Sequence, residues 1–175
     1  MNDETSVFIR PAATDDVQNI LDVYTPYVTE SATSFEEEPP SIKEMGERIT
    51  RSHVWLVAED ADHTLGYAYA TRFHPRAAYR WSVQVSIYLV PEAQGRGVGK
   101  LLLRELLDRL VAYGFVNAFA GTTLPNARSI ALFESFGFEK IGHQRNVGFK
   151  HGGWHDVGWW QLQLQEPSSP PPPLP

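Results

Sequence analysis

The 175-residue chain contains no cysteine. It therefore forms no disulfide, offers no thiolate ligand to a metal and has no thiol nucleophile. Long apolar runs are also missing, since none approaches the roughly 20 residues that a membrane-spanning helix needs. The first six residues are polar and acidic, without the basic and then apolar order of a secretion signal. These absences predict a cytoplasmic protein that does not engage a membrane.

Positive charge is scarce, with 15 Lys and Arg against 21 Asp and Glu and a net charge of −6. A broad nucleic-acid surface needs clustered cations, so we expect no nucleic-acid partner. A local basic cluster remains at Arg72, Arg76 and Arg80. Guanidinium groups pair with carboxylate or phosphinate oxygens through two hydrogen bonds. The cluster therefore indicates an acidic small molecule, while solvated or acid-paired arginines remain the alternative.

Proline is concentrated at one end of the chain, where residues 166–175 read EPSSPPPPLP. Proline has no backbone donor and favours extended polyproline II, so we predict a disordered Pro-rich tail over residues 165–175. Residues 1–6 are predicted to be a flexible N-terminus. The stretch between them, residues 7–164, shows no linker or internal repeat and is long enough for a single domain with its own core.

Strand and helix patterns alternate through that domain. The clearest helix runs over Val98–Tyr113, where apolar residues recur every three or four positions, and Gly114 ends it. It follows a predicted strand over Val83–Val90. Earlier helices are predicted after the capping residues Thr14–Asp16 and at Ser41. Further elements are predicted at residues 7–9, 54–58, 65–70, 117–122, 126–136, 139–147 and 157–164. This alternation predicts an α/β (α+β) domain built on a mixed sheet.

A glycine-rich stretch, Gln94-Gly95-Arg96-Gly97-Val98-Gly99, joins the predicted strand to the long helix. Glycine reaches unusual backbone angles and lets the main chain approach a ligand closely. The first N–H groups of a helix lack partners, and the helix dipole is positive at that end. The stretch therefore predicts a pyrophosphate-binding loop. A glycine-rich turn without a ligand stays open as the alternative, because short glycine motifs also occur by chance.

The order Gln-x-x-Gly-x-Gly after a strand resembles the pyrophosphate loop of GNAT acetyltransferases. Other motifs resemble the phosphinothricin acetyltransferase family, namely Ser34-Phe35-Glu36, Tyr67 to Ala70, Arg76 to Trp81, Ser86 to Leu89, Leu124-Pro125-Asn126, Gly137-Phe138 and Gly148 to Gln161. The similarity spans roughly Val7 to Leu164. It implies the GNAT fold, a central mixed and mostly antiparallel sheet flanked by helices. It also implies acetyl-CoA as cosubstrate without a metal, a small amino-acid-like amine of the phosphinothricin or methionine sulfoximine type as acceptor, and a homodimer.

The resemblance also implies roles for individual residues. The expected acetyl-CoA contacts are Ile87, Tyr88, Leu89, Gly95, Arg96, Gly97, Val98, Gly99, Lys100, Asn126 and Ser135. The expected acceptor contacts are Phe35, Glu36, Arg76, Ala77, Ala78, Tyr79 and Gln84. The expected catalytic positions are Gln84, which stands at the position of the family's glutamate, and Tyr79 and Tyr88, which are candidate substitutes for it. Asn126 could equally serve as a helix N-cap, and Phe35 could equally belong to the core.

Two residues depart from the family pattern. Gln84 stands where the family has a glutamate general base, and glutamine cannot accept a proton near neutral pH. Phe133 stands where the family has a histidine. Three hypotheses stay open: solvent deprotonates an amine of low pKa, another group substitutes, or the protein binds acetyl-CoA with little catalysis. The candidate substitutes are Tyr79, Tyr88, His74 and Glu36. Acetylation of protein amines is a further alternative.

The segment around His151 contains the spacing H-x₃-H-D, which resembles a set of metal ligands. It lies in a Gly-rich stretch rather than on a helix, where such a spacing would align the side chains. We therefore interpret His151, His155 and Asp156 as parts of a structural turn and predict no metal. The neighbouring Trp154, Trp159 and Trp160 are predicted to fill the core or a subunit interface.

Overall fold

The computed structural model describes residues 6–61 and 63–174. The predicted flexible N-terminus lies outside this range except for Ser6. The elements in chain order are β1 (Phe8–Pro11), α1 (Val17–Thr29), α2 (Ile42–Arg51), β2 (Val54–Glu59), β3 (Thr64–Arg72), β4 (Ser82–Leu89), α3 (Val98–Ala112), β5 (Asn117–Leu124), α4 (Ala127–Glu134), β6 (Glu139–Lys150) and β7 (Gly153–Gln163). Short 3-10 turns lie at Thr14–Asp16, Ala77–Tyr79 and Pro91–Ala93. No helix within the described range is both long and apolar enough to cross a membrane.

The strands form one sheet in the order β1-β2-β3-β4-β5-β7-β6. Neighbouring strands are antiparallel except for β4 and β5, which run parallel. The predicted mixed, mostly antiparallel sheet flanked by helices is confirmed. The parallel pair is connected by α3, as a crossover connection between parallel strands requires.

Each face of the sheet is covered by helices. On one face, Leu102, Leu106 and Leu110 of α3 are fully buried. On the other, α1 and α2 bury Ile20 and Met45. Complete burial of one such side chain contributes about 1.5–3 kcal/mol to stability. The sheet is thus held rigid from both sides, and its residues alternate between the two faces.

The last two strands are longer than the sequence predicts. We expected strands at residues 139–147 and 157–164, but β6 and β7 pair as far as Lys150 and Gly153. His151 and Gly152 between them both have positive φ, 49° and 76°, which is the geometry of a tight two-residue hairpin turn. A register shift between Gln144 and Gly148 interrupts the ladder. The prediction was wrong here because neither the bulge nor a His-Gly turn has a strong sequence signal.

The C-terminal segment contacts the domain at three points. Gln165 donates a side-chain hydrogen bond to the carbonyl of Phe115 at 2.8 Å. Trp81 donates its indole N–H to the carbonyl of Pro172, also at 2.8 Å. Leu174 packs against the α3 side of the core. The boundary at residue 164 and the disorder expected after it stay predictions.

Candidate active site

The central feature is an opening between the two parallel strands. β4 and β5 pair only where Ser82–Gln84 lie beside Asn117–Phe119, whereas β5 continues alongside β7 to Leu124. At the far end of β4, the N–H and C=O of Leu89 both contact the hydroxyl of Tyr27, at 3.3 and 2.5 Å, and so point away from β3. Backbone groups alternate in direction along a strand, so Ile87 directs its own N–H and C=O to the same side. The opening is therefore lined by strand backbone that β5 does not pair. The Tyr27 hydroxyl serves Leu89, which leaves Ile87 as the residue whose backbone groups need a partner.

The glycine loop lies at the end of this opening. Gly95 and Gly97 have φ of +76° and +84°, a left-handed conformation that disfavours any side chain. A Cβ built at either position would meet nothing within 4 Å, so the outer side of the loop is open. The N–H groups of Lys100 and Leu101 both bond to Gly97 C=O, which begins α3. The first N–H groups of a helix have no partner within it, so those at the start of α3 lie at its positive end and suit an anionic phosphate.

The glycine-rich loop is connected to its surroundings by Tyr27 and Arg128, which the sequence did not single out. Gln94 donates to the hydroxyl of Tyr27 at 3.3 Å, and Arg128 of α4 donates to the side-chain oxygen of Gln94. Gln94 thus links α1 to α4 across the loop. Tyr27 could have been suspected from its position one helical turn after Tyr24. Arg128 carries no comparable signal.

Asn126 and Ser135 lie at opposite ends of α4. Asn126 accepts the N–H of Ser129 at 3.2 Å and is the N-cap that its position allowed. Ser135 donates to Leu132 C=O at 2.7 Å. Leu132 in turn lies 3.2 Å from where a Cβ on Gly99 would stand. The C-terminal half of α4 is therefore packed against the start of α3, close to the glycine loop.

Tyr88 projects to the face of the sheet that α1 and α2 cover. Its ring contacts those of Tyr24 and Tyr27, each at 5.0 Å, and of Tyr67 at 5.4 Å. Burial raises the pKa of the Tyr88 hydroxyl well above its ordinary value. Burial likewise raises the pKa of Tyr24, to about 12. These phenols keep their protons near neutral pH, so they can donate a proton or a hydrogen bond but do not begin as bases.

The two departures from the family pattern occupy different environments. Gln84 is partly exposed, lies between Thr71 of β3 and Phe119 of β5, and its side chain has no hydrogen bond to any described residue. Phe133 is buried and packs edge-on against Phe138 at 5.1 Å. Gln84 therefore remains available to a ligand, whereas Phe133 contributes to the core.

The segment Ser34–Glu36, which follows α1, packs against α2 and the β6–β7 hairpin. Glu36 is bound by Arg48 at 2.6 Å, and the ring of Phe35 lies against Gly148. Lys150, which is buried, donates to the carbonyls of Val28 at 2.5 Å and Ser34 at 2.6 Å. Burial lowers the pKa of this amine. Lys150, which the sequence did not mark as functional, thus holds the segment Ser34–Glu36 against the end of α1.

The structure separates the three arginines of the basic cluster. Arg80 lies 4.8 Å over the ring of Trp81 and bonds to Ala77 C=O at 3.0 Å. Arg76 follows His74 in the exposed connection between β3 and β4, and its N–H donates to His74 Nδ1 at 3.2 Å. Arg72 instead lines a cavity of about 330 Å³ beneath α2.

Beside Arg76, Ala77, Ala78 and Tyr79 form an exposed 3-10 turn. The ring of Tyr79 lies 4.6 Å from that of His74. The turn is open to solvent, so Tyr79 and His74 are accessible to an incoming molecule.

The residues of the H-x₃-H-D segment are engaged within the hairpin. His155 Nε2 lies 3.0 Å from Lys150 C=O, and Asp156 contacts His143 at 2.6 Å and accepts the N–H of Asn146 at 2.7 Å. Across residues 6–61 and 63–174, no three His, Asp or Glu side chains are grouped so that they could hold a metal ion. Of the neighbouring tryptophans, Trp160 is in the core.

Comparisons with known proteins agree with this geometry. Residues 9–159 match the acetyltransferase (GNAT) domain family. A phosphinothricin N-acetyltransferase of Streptomyces viridochromogenes is 38% identical, over 95% of this chain and 92% of that protein. An L-methionine sulfoximine/L-methionine sulfone acetyltransferase of Pseudomonas aeruginosa is 33% identical, over 95% of this chain and 99% of its own length. The crystal structure of a GNAT superfamily phosphinothricin acetyltransferase from Sinorhizobium meliloti in complex with AcCoA superposes with a TM-score of 0.89, at 38% identity, and the match covers 95% of this chain and 96% of that one.

Fold and site together define an acetyl-CoA-dependent N-acetyltransferase. The unpaired backbone of β4 and the open, left-handed glycines fit the extended arm and the phosphates of acetyl-CoA, the cosubstrate of this class. The chain belongs to the GNAT acetyltransferase family.

Proposed function

We propose that the enzyme acetylates the α-amine of a small amino-acid-like acceptor of the phosphinothricin or methionine sulfoximine type. The observation that carries this proposal is the cavity of about 330 Å³ beneath α2, which is lined by Thr71, the cross-strand partner of Gln84. That volume suits a small molecule rather than a protein surface. The names of the similar enzymes from Streptomyces and Pseudomonas support the same acceptor class.

For the cosubstrate, we assign the backbone of Ile87 to the extended arm of acetyl-CoA, because β5 does not pair it. Leu89 was expected to contribute as well, but the Tyr27 hydroxyl already contacts both of its backbone groups. The N–H groups from Gly95 to Lys100 would hold the phosphates. When bound, acetyl-CoA supplies an activated thioester. The Ile87 N–H would polarise the acetyl carbonyl, which is the role of an oxyanion-hole donor. Asn126 and Ser135 flank the site at the two ends of α4.

Gln84, Tyr79 and Tyr88 would handle the acceptor and its protons. Gln84 can orient the amine by hydrogen bonding but cannot take its proton. Tyr88 is protonated because burial raises its pKa, so it can donate a hydrogen bond to the departing thiolate, which then takes its proton from solvent. Glu36 is already paired with Arg48. Solvent is then the first candidate for the proton acceptor.

Reliance on solvent favours amines of low pKa. An α-amine with a pKa near 8 is about one tenth neutral at pH 7, while a lysine side chain near 10.4 is neutral on the order of once in a thousand or less. Only the neutral amine attacks a thioester. This difference supports an amino-acid acceptor over a lysine side chain of a protein.

We also propose a homodimer that works in the cytoplasm. β6 is an edge strand, and apolar side chains on it and on the hairpin are more than half exposed at Ile141, Phe149 and Trp154. A long apolar edge is an association surface. Sedimentation analysis should give twice the chain mass for the wild type and a monomer for Phe149→Lys. Cell fractionation of the full chain tests the compartment.

The acceptor is tested by mixing the purified protein with acetyl-CoA and a panel of amino-acid-like amines that includes phosphinothricin and methionine sulfoximine. Thiol release is followed against a control without acceptor. We expect turnover on at least one of these two compounds. Silence across the panel, with acetyl-CoA binding confirmed by calorimetry, would contradict the acceptor class.

A further inference from the structure

The C-terminal segment, residues 165–174, docks on the domain where β4 and β5 begin. Trp81 donates its indole N–H to the carbonyl of Pro172 at 2.8 Å. The ring of Pro172 packs over Gly114, 3.2 Å from where a Cβ on that glycine would stand. Grooves lined by aromatic side chains are the usual receptors for proline-rich peptides. This chain therefore supplies both a proline-rich segment and the aromatic residue that binds it.

The backbone and the side chain of Trp81 are held by different parts of the chain. Its carbonyl accepts the N–H groups of Val116 and Asn117, at 2.8 and 3.3 Å, where β5 begins. These bonds fix the main chain but leave the indole free to change rotamer. The hydrogen bond to Pro172 selects one orientation of the ring. The C-terminal segment therefore determines where the indole lies, while β5 determines where its backbone lies.

Arg80 connects this indole to the turn that precedes it. The guanidinium of Arg80 lies 4.8 Å over the ring of Trp81, and its Nε donates to the carbonyl of Ala77 at 3.0 Å. A cation over the face of a tryptophan is attracted to the ring. Arg80 keeps this position only while the indole is oriented to receive it. An oriented Trp81 thus fixes Arg80, and Arg80 holds the turn Ala77–Tyr79 at its first residue.

The turn has little other polar support. Within the described part of the chain its remaining hydrogen bonds are local: Tyr79 N–H donates to Arg76 C=O, and Arg80 N–H donates to Ala77 C=O, both at 3.1 Å. The ring of Tyr79 is 43% exposed and contacts His74 of the same connection. Exposed segments with few contacts open locally at low free energy. The contact through Arg80 and Trp81 is therefore the polar link from the turn to the rest of the domain.

We propose that the C-terminal segment positions the acceptor: it orients Trp81, Trp81 orients Arg80, and Arg80 holds the turn that carries Arg76 and Tyr79. This inference rests on the proposed function, because it takes Arg76 and Tyr79 as acceptor contacts. Loss of any link leaves Gln84 in place but lets the turn move away from its binding position. The cost falls on the acceptor and spares acetyl-CoA, since the glycine-rich loop lies at the opposite end of β4.

The kinetic test removes the links one at a time. Deletion of residues 166–175, Trp81→Phe and Arg80→Gln are each compared with wild type on the best acceptor of the amine panel. Trp81→Phe keeps an aromatic ring beneath Arg80 and loses the N–H that Pro172 accepts. A double variant combines the deletion with Trp81→Phe, so that coupling between the two sites is measured directly.

We expect each variant to raise the acceptor KM about two- to fivefold, which corresponds to about 0.5–1 kcal/mol. The kcat and the KM for acetyl-CoA should stay as in wild type. The double variant should be no worse than the deletion alone, because both changes break the same hydrogen bond. Arg109→Gln on α3 and Trp154→Phe on the exposed hairpin are matched controls and should behave as wild type. An unchanged acceptor KM, or an equal rise in the KM for acetyl-CoA, would overturn the proposal.

A second measurement does not depend on the identity of the acceptor. Trypsin cleaves after Arg76 in the exposed connection, at a rate that follows how often the turn opens. The deletion and Trp81→Phe should both speed this cleavage. Cleavage after Arg145, at the exposed register shift of β6, is the internal reference and should not change. Mass spectrometry of the first fragments gives the two rates.

The two measurements separate failure of this inference from failure of the proposed function. If the wild type turns over no member of the panel, faster cleavage after Arg76 in both variants still supports the link between the segment and the turn, and the acceptor assignment is what fails. Unchanged cleavage after Arg76 overturns the inference whether or not the panel is turned over. Melting temperatures show that every variant is folded at the assay temperature.

Discussion

Replacing Gln84 with glutamate restores a carboxylate at the position where the family has its general base. The two side chains have nearly the same shape, and Gln84 is partly exposed with no side-chain hydrogen bond to a described residue. The substitution therefore leaves the packing between Thr71 and Phe119 intact. Its main effect is to place a proton acceptor beside the incoming amine.

The size of the gain follows from the fraction of neutral amine. At pH 7 an α-amine of pKa near 8 is about one tenth neutral, so a base that removes this limitation raises kcat/KM by about tenfold. Above about pH 8 the free amine is already largely neutral, so the gain should shrink there. A lysine-like amine would gain far more, up to the about 10⁴-fold that general acid–base catalysis reaches.

The assay is thiol release from acetyl-CoA, with kcat/KM for the best acceptor measured between pH 6 and 9. Gln163→Glu, at the exposed end of β7, adds the same charge at a distance and serves as the control. A gain for Gln84→Glu that does not depend on pH, or a loss at every pH, would refute the reasoning. Such a loss would mean that the Gln84 amide itself binds the acceptor.

Three further predictions test the glycine-rich loop, the Arg10–Asp16 ion pair and the C-terminal segment. Gly97→Val should abolish acetyl-CoA binding measured by calorimetry, because valine is strained at φ +84°. Gly152→Val is the control: it carries similar strain in the β6–β7 hairpin and should bind acetyl-CoA normally. Asp16 is held by Arg10 at 2.7 Å, and this hydrogen bond lowers the pKa of the carboxyl. A depressed native pKa stabilises the fold above the unfolded value of about 3.9, and this stability is lost as pH falls through the lower native value. Asp16→Asn should thus melt several degrees lower at pH 7, with the gap to wild type closing below about pH 4, and a gap independent of pH would contradict this. Deletion of residues 166–175 removes the Trp81–Pro172 hydrogen bond and should lower the melting temperature by a few degrees, whereas no change would support the disorder expected from the sequence.

Local signals in the sequence were sufficient for most of the helices and strands and for the glycine-rich loop. The apolar period of α3 and the glycines before it are encoded within a few consecutive residues, because helix periodicity and left-handed backbone angles are local properties. Asn126 and Ser41 were recognisable as helix caps for the same reason, since each bonds to an N–H three residues ahead. The mixed sheet and the GNAT family followed from several such motifs in order.

The cavity beneath α2 was decided by tertiary structure. Trp55, Arg48 and Arg72 come from three different elements, and nothing in their spacing along the chain reveals that they line one cavity. Whether an arginine is free or paired depends on which carboxylate the fold brings within reach, so Arg72 and Arg48 have the same sequence signal but different partners. The sequence by itself determined the family, with acetyl-CoA as cosubstrate, and the position of the glycine-rich loop before α3. Only the packing of α1 and α2 over β2 and β3 determined which charges and donors line the cavity, because those contacts join residues far apart in the chain.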